Sequence, residues 1–431
     1  MVGLVDCDNF FCSCERVFRP DLMNVPVVVL SNNDGCVVAR SREAKQLGVR
    51  EGLPYYQLLE QFPSAGIVAF SSNYTLYGDI SGRIMQILRQ EAPDVTQYSI
   101  DEAFLHLDGM DPSKLKQWGE RLCAKVLRYT GMPVSLGIAP TKTLAKVASK
   151  YAKKYPGYRK CCMIADRQQR IRALELFPVD DVWGIGRRIS ASLQSRGITN
   201  ALGFAGLPRE FVRARYHLPA EQTWRELNGE NVIQLECMTV THKKTIMTSR
   251  SFPGMITDPA DLNTHVANYA ARCARKLRAQ QSVCAMLTVF IQSNRFREDL
   301  LQYDNSASHT FATSTATTTE LVNAAGALLR TIFRPGIYYK RAGVMVSGIS
   351  SAGAIQPDLF EFDPEARARQ VSVSNALDRI NDRMGADTVV LGAQQYRQKS
   401  ADGKSVKFVN AIRRALKSPD YTTRLGTFKV G

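Results

Sequence analysis

Short apolar runs alternate along the first part of the chain with segments whose apolar residues recur every three or four positions. The runs have the composition of buried strands and comprise Leu4–Val5, Val27–Leu30, Cys36–Ala39, Tyr98–Leu107 and Val134–Ile138. The segments with helical spacing are Ser41–Leu47, Tyr77–Glu91 and Lys142–Lys154. Strands and helices that alternate in this way predict an α/β or α+β first domain.

The later part of the chain has a different pattern. Glycine turns separate short predicted helices between residues 166 and 228, and a polar linker follows. A second folded region is predicted from the helices Leu262–Gln280 and Thr319–Ile332 and the strands Ala285–Gln292 and Arg341–Ser347. Beyond an acidic, proline-containing stretch, one more helix is predicted at Val371–Met384. A length of 431 residues suits about two to four domains.

The net charge of the chain indicates what kind of partner it binds. The chain has 56 Lys and Arg against 40 Asp and Glu, a formal net charge of +16. Such an excess favours a polyanion, nucleic acid first and an acidic membrane surface second. No apolar run approaches the roughly 18–20 residues of a membrane span, and an acidic residue stands where a signal peptide is apolar. We therefore expect a cytoplasmic protein without a membrane partner, whose ten cysteines are reduced.

Asp101 and Glu102 are adjacent carboxylates inside a strand-like run. Neighbouring side chains point to opposite faces of a flat strand, so both can serve one site only where the backbone bends. At a bend they would repel each other, and a cation between them would relieve the repulsion. Asp6, at the end of its own predicted strand, can supply a third carboxylate. Taken alone, however, an Asp-Glu pair is more often a solvated surface feature.

The surrounding motifs resolve this ambiguity. They are Asp6–Glu15, Val27–Cys36, Tyr98–Glu102, Leu136–Lys146 and Trp183–Gly186. In this order and spacing they resemble the motifs of the Y-family translesion DNA polymerases. The sequences of Ser31–Cys36 and Ser418–Arg424 are similar to those of the UmuC type within that family.

The resemblance implies an α+β multidomain fold, a right-hand polymerase with a C-terminal tail. The expected domains are a palm (residues 1–10 and 76–165), small fingers (11–75), a helical thumb (166–230), a linker (231–241), an α/β little finger (242–350) and a clamp- and partner-binding region (351–431). The implied activity is error-prone, template-directed DNA synthesis across lesions, in SOS-type repair and mutagenesis.

The resemblance also assigns roles to side chains around the predicted metal site. Asp6, Asp101 and Glu102 match the catalytic carboxylates that hold two Mg²⁺ ions, with the backbone carbonyl of Cys7 facing a metal. Two ions about 3.5–4 Å apart are a common arrangement for phosphoryl transfer. Phe11 matches a steric gate whose ring excludes a ribose 2′-hydroxyl.

The substrate-binding residues follow from the same resemblance. Lys153, or its neighbour Lys154, matches the lysine that reaches the triphosphate of the incoming deoxynucleotide. Lys45 stands where relatives have Arg or Lys, and Arg42 stands where many relatives have Tyr; both are expected to face the triphosphate. Residues 141–160 hold seven Lys and Arg and no Asp or Glu, which exceeds the need for solubility. Cys36 and Val38 are candidates for the surface above the nascent base pair.

Primer-template DNA is expected at two further places. Gly184 and Gly186 resemble a helix-hairpin-helix turn, whose backbone amides can hold a DNA phosphate, and Lys146 is a candidate DNA contact. Residues 241–350 hold 13 Lys and Arg against 6 Asp and Glu, a net charge of 13 − 6 = +7. This excess predicts a salt-sensitive electrostatic contact with DNA.

The resemblance also implies protein partners. Gln356, Leu359 and Phe360 lie in a peptide similar to those that dock bacterial polymerases on the sliding clamp. The resemblance further implies a cleaved UmuD-type accessory dimer and the RecA filament, which no residue demonstrates. A non-enzymatic DNA-binding subunit and a nucleotide cyclase remain the alternatives. The retained carboxylates oppose the first; the hairpin turn, the clamp-like peptide and the basic final domain oppose the second.

Overall fold

The computed structural model describes residues 1–234, 243–353, 363–385, 387–394 and 415–419. The chain divides into two compact units, residues 1–239 with 412–431, and residues 240–411. No helix of the described ranges is both long enough and apolar enough to cross a membrane. The nine cysteines of these ranges are free thiols, and eight of them are buried.

The first unit contains two sheets. Its strands are β1 (Val2–Cys7), β2 (Val27–Leu30), β3 (Val37–Arg40), β4 (Val68–Ser71), β5 (Asp94–Gln97), β6 (Glu102–His106), β7 (Val134–Ala139) and β8 (Cys161–Met163). Five of them form one sheet in the order β5-β6-β1-β7-β8, and three form a smaller sheet in the order β3-β2-β4. The central strand β1 pairs antiparallel with β6 and with β7, so its carboxyl end lies inside the sheet rather than at an edge.

Helices cover both sheets of this unit. They are α1 (Phe10–Val17), α2 (Arg42–Gln46), α3 (Tyr55–Gln61), α4 (Tyr74–Glu91), α5 (Leu115–Thr130), α6 (Lys142–Lys154), α7 (Arg167–Glu175), α8 (Arg187–Gln194), α9 (Ala201–Ala205) and α10 (Arg209–Leu227). The sequence pattern predicted α6 with the same bounds. Its close approach to β7 requires Gly137, since a Cβ there would lie 2.1 Å from the carbonyl oxygen of Ala145.

The second unit is a four-stranded antiparallel sheet packed against helices. Its elements are β9 (Thr245–Ile256), α11 (Pro259–Ala279), β10 (Ser282–Ser293), β11 (Asp304–Thr315), α12 (Thr318–Ile332), β12 (Tyr339–Ser351) and α13 (Pro364–Met384). The strand order is β11-β10-β12-β9. Helix α13 is held to this unit by Arg278, whose guanidinium pairs with Asp378 at 2.7 Å.

The predicted strand Tyr98–Leu107 is longer than the observed strand β6, which begins at Glu102 and ends at His106. The backbone turns before Glu102, where the amide of Tyr98 donates to the carbonyl oxygen of Glu102. The Ser99 hydroxyl accepts hydrogen bonds from the amides of Asp101, at 3.1 Å, and Glu102, at 3.0 Å. A serine that satisfies two nearby amides favours a turn over a strand. The turn supplies the bend that the two adjacent carboxylates require.

The stability of the second unit is expected to depend on pH through His265. Burial, with help from Arg250, lowers the pKa of His265 to about 4. An unfolded histidine has a pKa near 6.5, so the unfolded chain binds more protons between these values and stability falls as the pH drops. After allowance for residual exposure, we expect a loss of about 1.5 kcal/mol between pH 7 and pH 5.

Thermal unfolding at the two pH values checks this prediction. The melting temperature of the wild type should fall more between pH 7 and pH 5 than that of a His265→Gln variant. An equal fall in both proteins would contradict it.

Candidate active site

Asp6, Asp101 and Glu102 meet at one end of the central strands. Asp6 on β1 lies directly opposite Glu102 on β6. The amide of Cys7 donates to the carbonyl oxygen of Asp101 at 3.0 Å, which holds the turn against the end of β1. The Ser99 hydroxyl donates to the Asp101 carboxylate at 2.6 Å. Residues far apart in sequence thus present three carboxylates at a single place.

Helix α6 brings two lysines to these carboxylates. Lys153 Nζ lies 2.5 Å from Asp6 Oδ1. Lys146, seven residues earlier on the same helix, donates to both carboxylate oxygens of Glu102 at 2.9 Å. Lys146 therefore contacts a predicted metal ligand, and only 16% of its side chain is exposed. Its predicted role as a DNA contact stays a prediction.

An aromatic enclosure surrounds the Lys146 ammonium. Its Nζ lies 4.7 Å from the ring centre of Tyr98, 5.2 Å from Trp183 and 5.9 Å from Phe104. Rings at these distances attract a cation through their negative faces. The enclosure leaves the ammonium little freedom to turn away, so Lys146 fixes the orientation of Glu102.

Burial and neighbouring acids make the Asp6 carboxylate harder to ionise. Burial raises the pKa of Asp6 to about 6, Lys153 opposes the rise, and Glu102 and Asp101 add to it. Burial by itself would lower the pKa of Lys153, but the carboxylates of Asp6 and Asp8 outweigh it, and the pKa is raised. The lysine is therefore a firm cation that partly neutralises an acidic cluster.

The donor atoms suit a hard divalent cation. Carboxylate oxygens from three residues are the ligands that Mg²⁺ and Mn²⁺ prefer. Within the described ranges, no three acidic, histidine or cysteine side chains are already close enough to hold a metal ion. In this structure Lys153 pairs with Asp6, and Lys146 pairs with Glu102.

A cleft of about 1080 Å³ opens beside the carboxylates. Asp6, Asp101 and Glu102 line it, and so do the predicted triphosphate ligands Arg42, Lys45, Lys153 and Lys154. Lys45 Nζ donates to the side-chain oxygen of Asn9 at 2.6 Å. The structure thus brings the predicted metal ligands and the predicted phosphate ligands to one cavity.

Phe11 also lines the cleft, and its ring rests on Tyr77. The two rings are stacked, with centroids 4.5 Å apart and planes at 19°. Tyr74 meets Phe11 edge-on at 5.9 Å. Phe10 is buried, as expected for a core residue, whereas Phe11 is only partly buried. The position of Phe11 fits the predicted steric gate, a role that stays a prediction.

The remaining predicted residues divide between the cleft, the turn before α8 and a part of the chain that the structure does not describe. Val38 lines the cleft and Cys36 does not. Gly184 has φ +89°, and a Cβ there would meet Thr223 Oγ1 at 2.3 Å, so the turn requires glycine. Gly186 caps the start of α8. The clamp-like residues Gln356, Leu359 and Phe360 fall outside the described part of the chain.

Several residues of the cleft were missed by the sequence analysis. Asp8 carries a fourth carboxylate, which accepts hydrogen bonds from Lys160 at 2.6 Å and Ser135 at 2.9 Å. Its spacing from Asp6, two positions along the chain, was the available signal. Arg40, Arg159 and Lys160 add positive charge to the cleft. Asn9 adopts a left-handed conformation, with φ 49°, which turns the chain from β1 into α1.

Sequence comparisons match most of the chain to known families. The impB/mucB/samB family matches residues 5–150, and its C-terminal domain matches residues 243–359. A domain of unknown function, DUF4113, matches residues 372–428. The chain is 42% identical to the protein UmuC of Salmonella typhimurium, over 98% of each sequence. It is 35% identical to MucB of Escherichia coli, over 98% of this chain and 97% of that one.

Solved structures give the same answer for the fold. A Y-family DNA polymerase chimera of Dbh and Dpo4 matches with a TM-score of 0.64 and 21% identity, over 81% of this chain and 99% of that one. An insertion ternary complex of Dbh DNA polymerase matches with a TM-score of 0.51 and 21% identity, over 81% and 99%. The predicted α+β right-hand polymerase fold is confirmed.

Proposed function

The chain belongs to the impB/mucB/samB family, the UmuC type of Y-family DNA polymerase, and on that premise we propose that it performs two-metal nucleotidyl transfer during SOS-type mutagenic lesion bypass. It is a DNA-directed DNA polymerase that acts on primer-template DNA and deoxynucleoside triphosphates. The observation that supports the proposed mechanism best is the cleft that joins three carboxylates to four predicted phosphate ligands.

The carboxylates have a defined task in this proposal. Asp6, Asp101 and Glu102 would hold two Mg²⁺ ions, and Cys7 would add its backbone carbonyl. When bound, the ions would supply Lewis acidity for the primer 3′-hydroxyl and the pyrophosphate leaving group. Asp6 would hold them together with Glu102, which lies opposite it on β6, and with Asp101, whose carbonyl oxygen accepts from the amide of Cys7. Ser99 keeps the Asp101 carboxylate turned toward the cleft.

The cations of the cleft would bind the triphosphate. Lys153 is best placed for this, because it already lies against Asp6 and can exchange that carboxylate for phosphate oxygens. Arg42, Lys45 and Lys154 would neutralise the rest of the charge. Val38 is the better candidate for the surface above the nascent base pair, since Cys36 lies outside the cleft.

DNA would be held without sequence preference. The glycine turn before α8 offers backbone amides to a phosphate, and residues 241–350 carry a net charge of 13 − 6 = +7. Palm, fingers and thumb would lie in the first unit and the little finger in the second. The sliding clamp at Gln356–Phe360, a UmuD-type dimer and the RecA filament are proposed partners, which rest on family membership.

Primer extension on damaged templates tests the proposed function. The purified chain should extend a primer past an abasic site in the presence of Mg²⁺, more efficiently with a cleaved UmuD-type dimer and RecA than alone. An undamaged template provides the control for general activity. Extension that stops at the lesion under all conditions, while the undamaged template is copied, would refute the bypass function.

A Lys146→Met variant is expected to lower kcat about 10–100-fold, because Glu102 loses the side chain that orients it. The KM for the nucleotide should change little, and Lys146→Arg should keep more activity than Lys146→Met. Steady-state kinetics at saturating DNA measures both constants. If Lys146→Met instead weakens DNA binding and lowers its salt dependence without a fall in kcat, the originally predicted phosphate contact is correct.

A further inference from the structure

A short segment near the C-terminus lies against the small sheet of the first unit. The amide of Ser71 donates to the carbonyl oxygen of Leu416 at 3.0 Å. In return, the amide of Leu416 donates to Ser71 Oγ, also at 3.0 Å. The amide of Ala415 donates to the Asp34 carboxylate at 3.0 Å. These contacts join residues that are 345 and 381 positions apart in sequence.

The contact has a structural basis. Strand β4 lies at one edge of the order β3-β2-β4, so its outer backbone groups are available to another segment. Leu416 packs against the buried apolar cluster that includes Leu30 and Leu58. Ser418 is 4% exposed, and its hydroxyl accepts a hydrogen bond from the Asn73 amide at 3.0 Å. The segment therefore fills a specific place in this unit.

Ser418 is linked to the helix that carries Tyr77. Asn73, whose side-chain amide donates to the Ser418 hydroxyl, is also the residue whose side-chain oxygen caps the N-terminus of α4. Tyr77 lies in the first turns of this helix, and its hydroxyl donates to Oε1 of the fully buried Glu15 at 2.7 Å. Ser418 therefore supports the start of the helix that positions Tyr77.

Tyr77 connects this part of the first unit to the nucleotide cleft. Its side chain is fully buried, and one face of its ring stacks on Phe11. A shift of the tyrosine would therefore shift the ring that lines the cleft.

We propose that the segment Ala415–Pro419 supports the nucleotide pocket from behind and that Ser418, through Asn73 and Tyr77, is a positioning residue for Phe11. The proposal rests on the proposed role of Phe11 as the gate against ribonucleotides. It gives part of the region matched by the domain of unknown function, residues 372–428, a task in selecting the sugar of the substrate.

Single-nucleotide insertion measures the effect. The ratio of kcat/KM for a deoxynucleotide to that for the ribonucleotide with the same base is compared between wild type and Ser418→Ala. We expect the ratio to fall about five-fold, equivalent to ~1 kcal/mol. Leu416→Asp, which places a carboxylate beside Asp34, should lower the ratio at least as much. Ser195→Ala, which removes an exposed hydroxyl of the same unit, provides the matched control.

Two further measurements separate positioning from a general structural effect. Tyr77→Phe should lower the ratio, and the double variant with Ser418→Ala should show less than the sum of the two effects, because both act through the position of Tyr77 on α4. The Ser71 amide should be protected from hydrogen exchange in the wild type and exposed in Leu416→Asp. Additive effects, an unprotected Ser71 amide in the wild type, or a Ser418→Ala ratio equal to wild type would overturn the inference.

A Phe11→Ala variant in the same assay distinguishes the two proposals. If Phe11→Ala admits ribonucleotides but Ser418→Ala does not, only the role of the segment is wrong. If Phe11→Ala leaves the ratio unchanged, the gate itself is refuted and the inference falls with it.

Discussion

Replacement of Asp101 by Asn is expected to lower the rate of nucleotide insertion roughly 1000-fold, about 4 kcal/mol of transition-state stabilisation. The reason is the loss of one negative oxygen where the metal ions would be held. The fold should survive, because an asparagine oxygen can accept the same hydrogen bond from Ser99. Single-turnover insertion with saturating DNA and Mg²⁺ gives the rate, and thermal unfolding checks the fold.

A matched control is available on helix α4. Asp79 forms an exposed ion pair with Arg83, and such pairs contribute little to stability. Asp79→Asn removes the same charge as Asp101→Asn and should insert nucleotides at the wild-type rate. Equal rates for Asp101→Asn and Asp79→Asn would show that Asp101 does not take part in catalysis.

Replacement of Phe11 by Ala is expected to lower discrimination against ribonucleotides by on the order of 100-fold. Without the ring, a 2′-hydroxyl would meet open space above Tyr77 instead of the phenyl group. Most of the change should appear in kcat/KM for the ribonucleotide. The comparison requires insertion kinetics with both sugars opposite the same template base.

Tyr129 supplies the control for this substitution. This residue is 65% exposed and does not line the cleft, so Tyr129→Ala removes an aromatic side chain without opening the cleft. Discrimination should be that of the wild type in Tyr129→Ala. A Phe11→Ala variant that still rejects ribonucleotides would refute the gate, even if its overall activity falls.

The sequence predicted those elements whose own pattern determines them. Helix α6 and strand β2 have the predicted bounds, because each carries a regular apolar pattern with a clear stop. The bend at Asp101-Glu102 was predicted because adjacent residues of a flat strand point to opposite faces, and the structure has a turn there. The error in the strand before it arose because Tyr98 and Ile100 favour strands, whereas the Ser99 hydroxyl favours the turn.

Contacts between distant residues could not be predicted in the same way. The position of Lys146 in the sequence does not distinguish a DNA contact from the observed ion pair with Glu102, because either role suits a lysine on the polar face of an amphipathic helix. The docking of Leu416 on Ser71 joins a polar tail to a strand edge and leaves no periodic pattern. The stacking of Phe11 on Tyr77 likewise depends on how α1 meets α4.

The direct test of the metal site is a crystal structure of the protein with primer-template DNA, a non-hydrolysable deoxynucleotide and Mn²⁺, with anomalous diffraction data. Two anomalous peaks about 3.5–4 Å apart are expected, both within coordination distance of Asp6 and Asp101, with Lys153 moved onto the triphosphate. A complex that contains DNA and nucleotide but has no peak at these carboxylates would contradict the proposed mechanism.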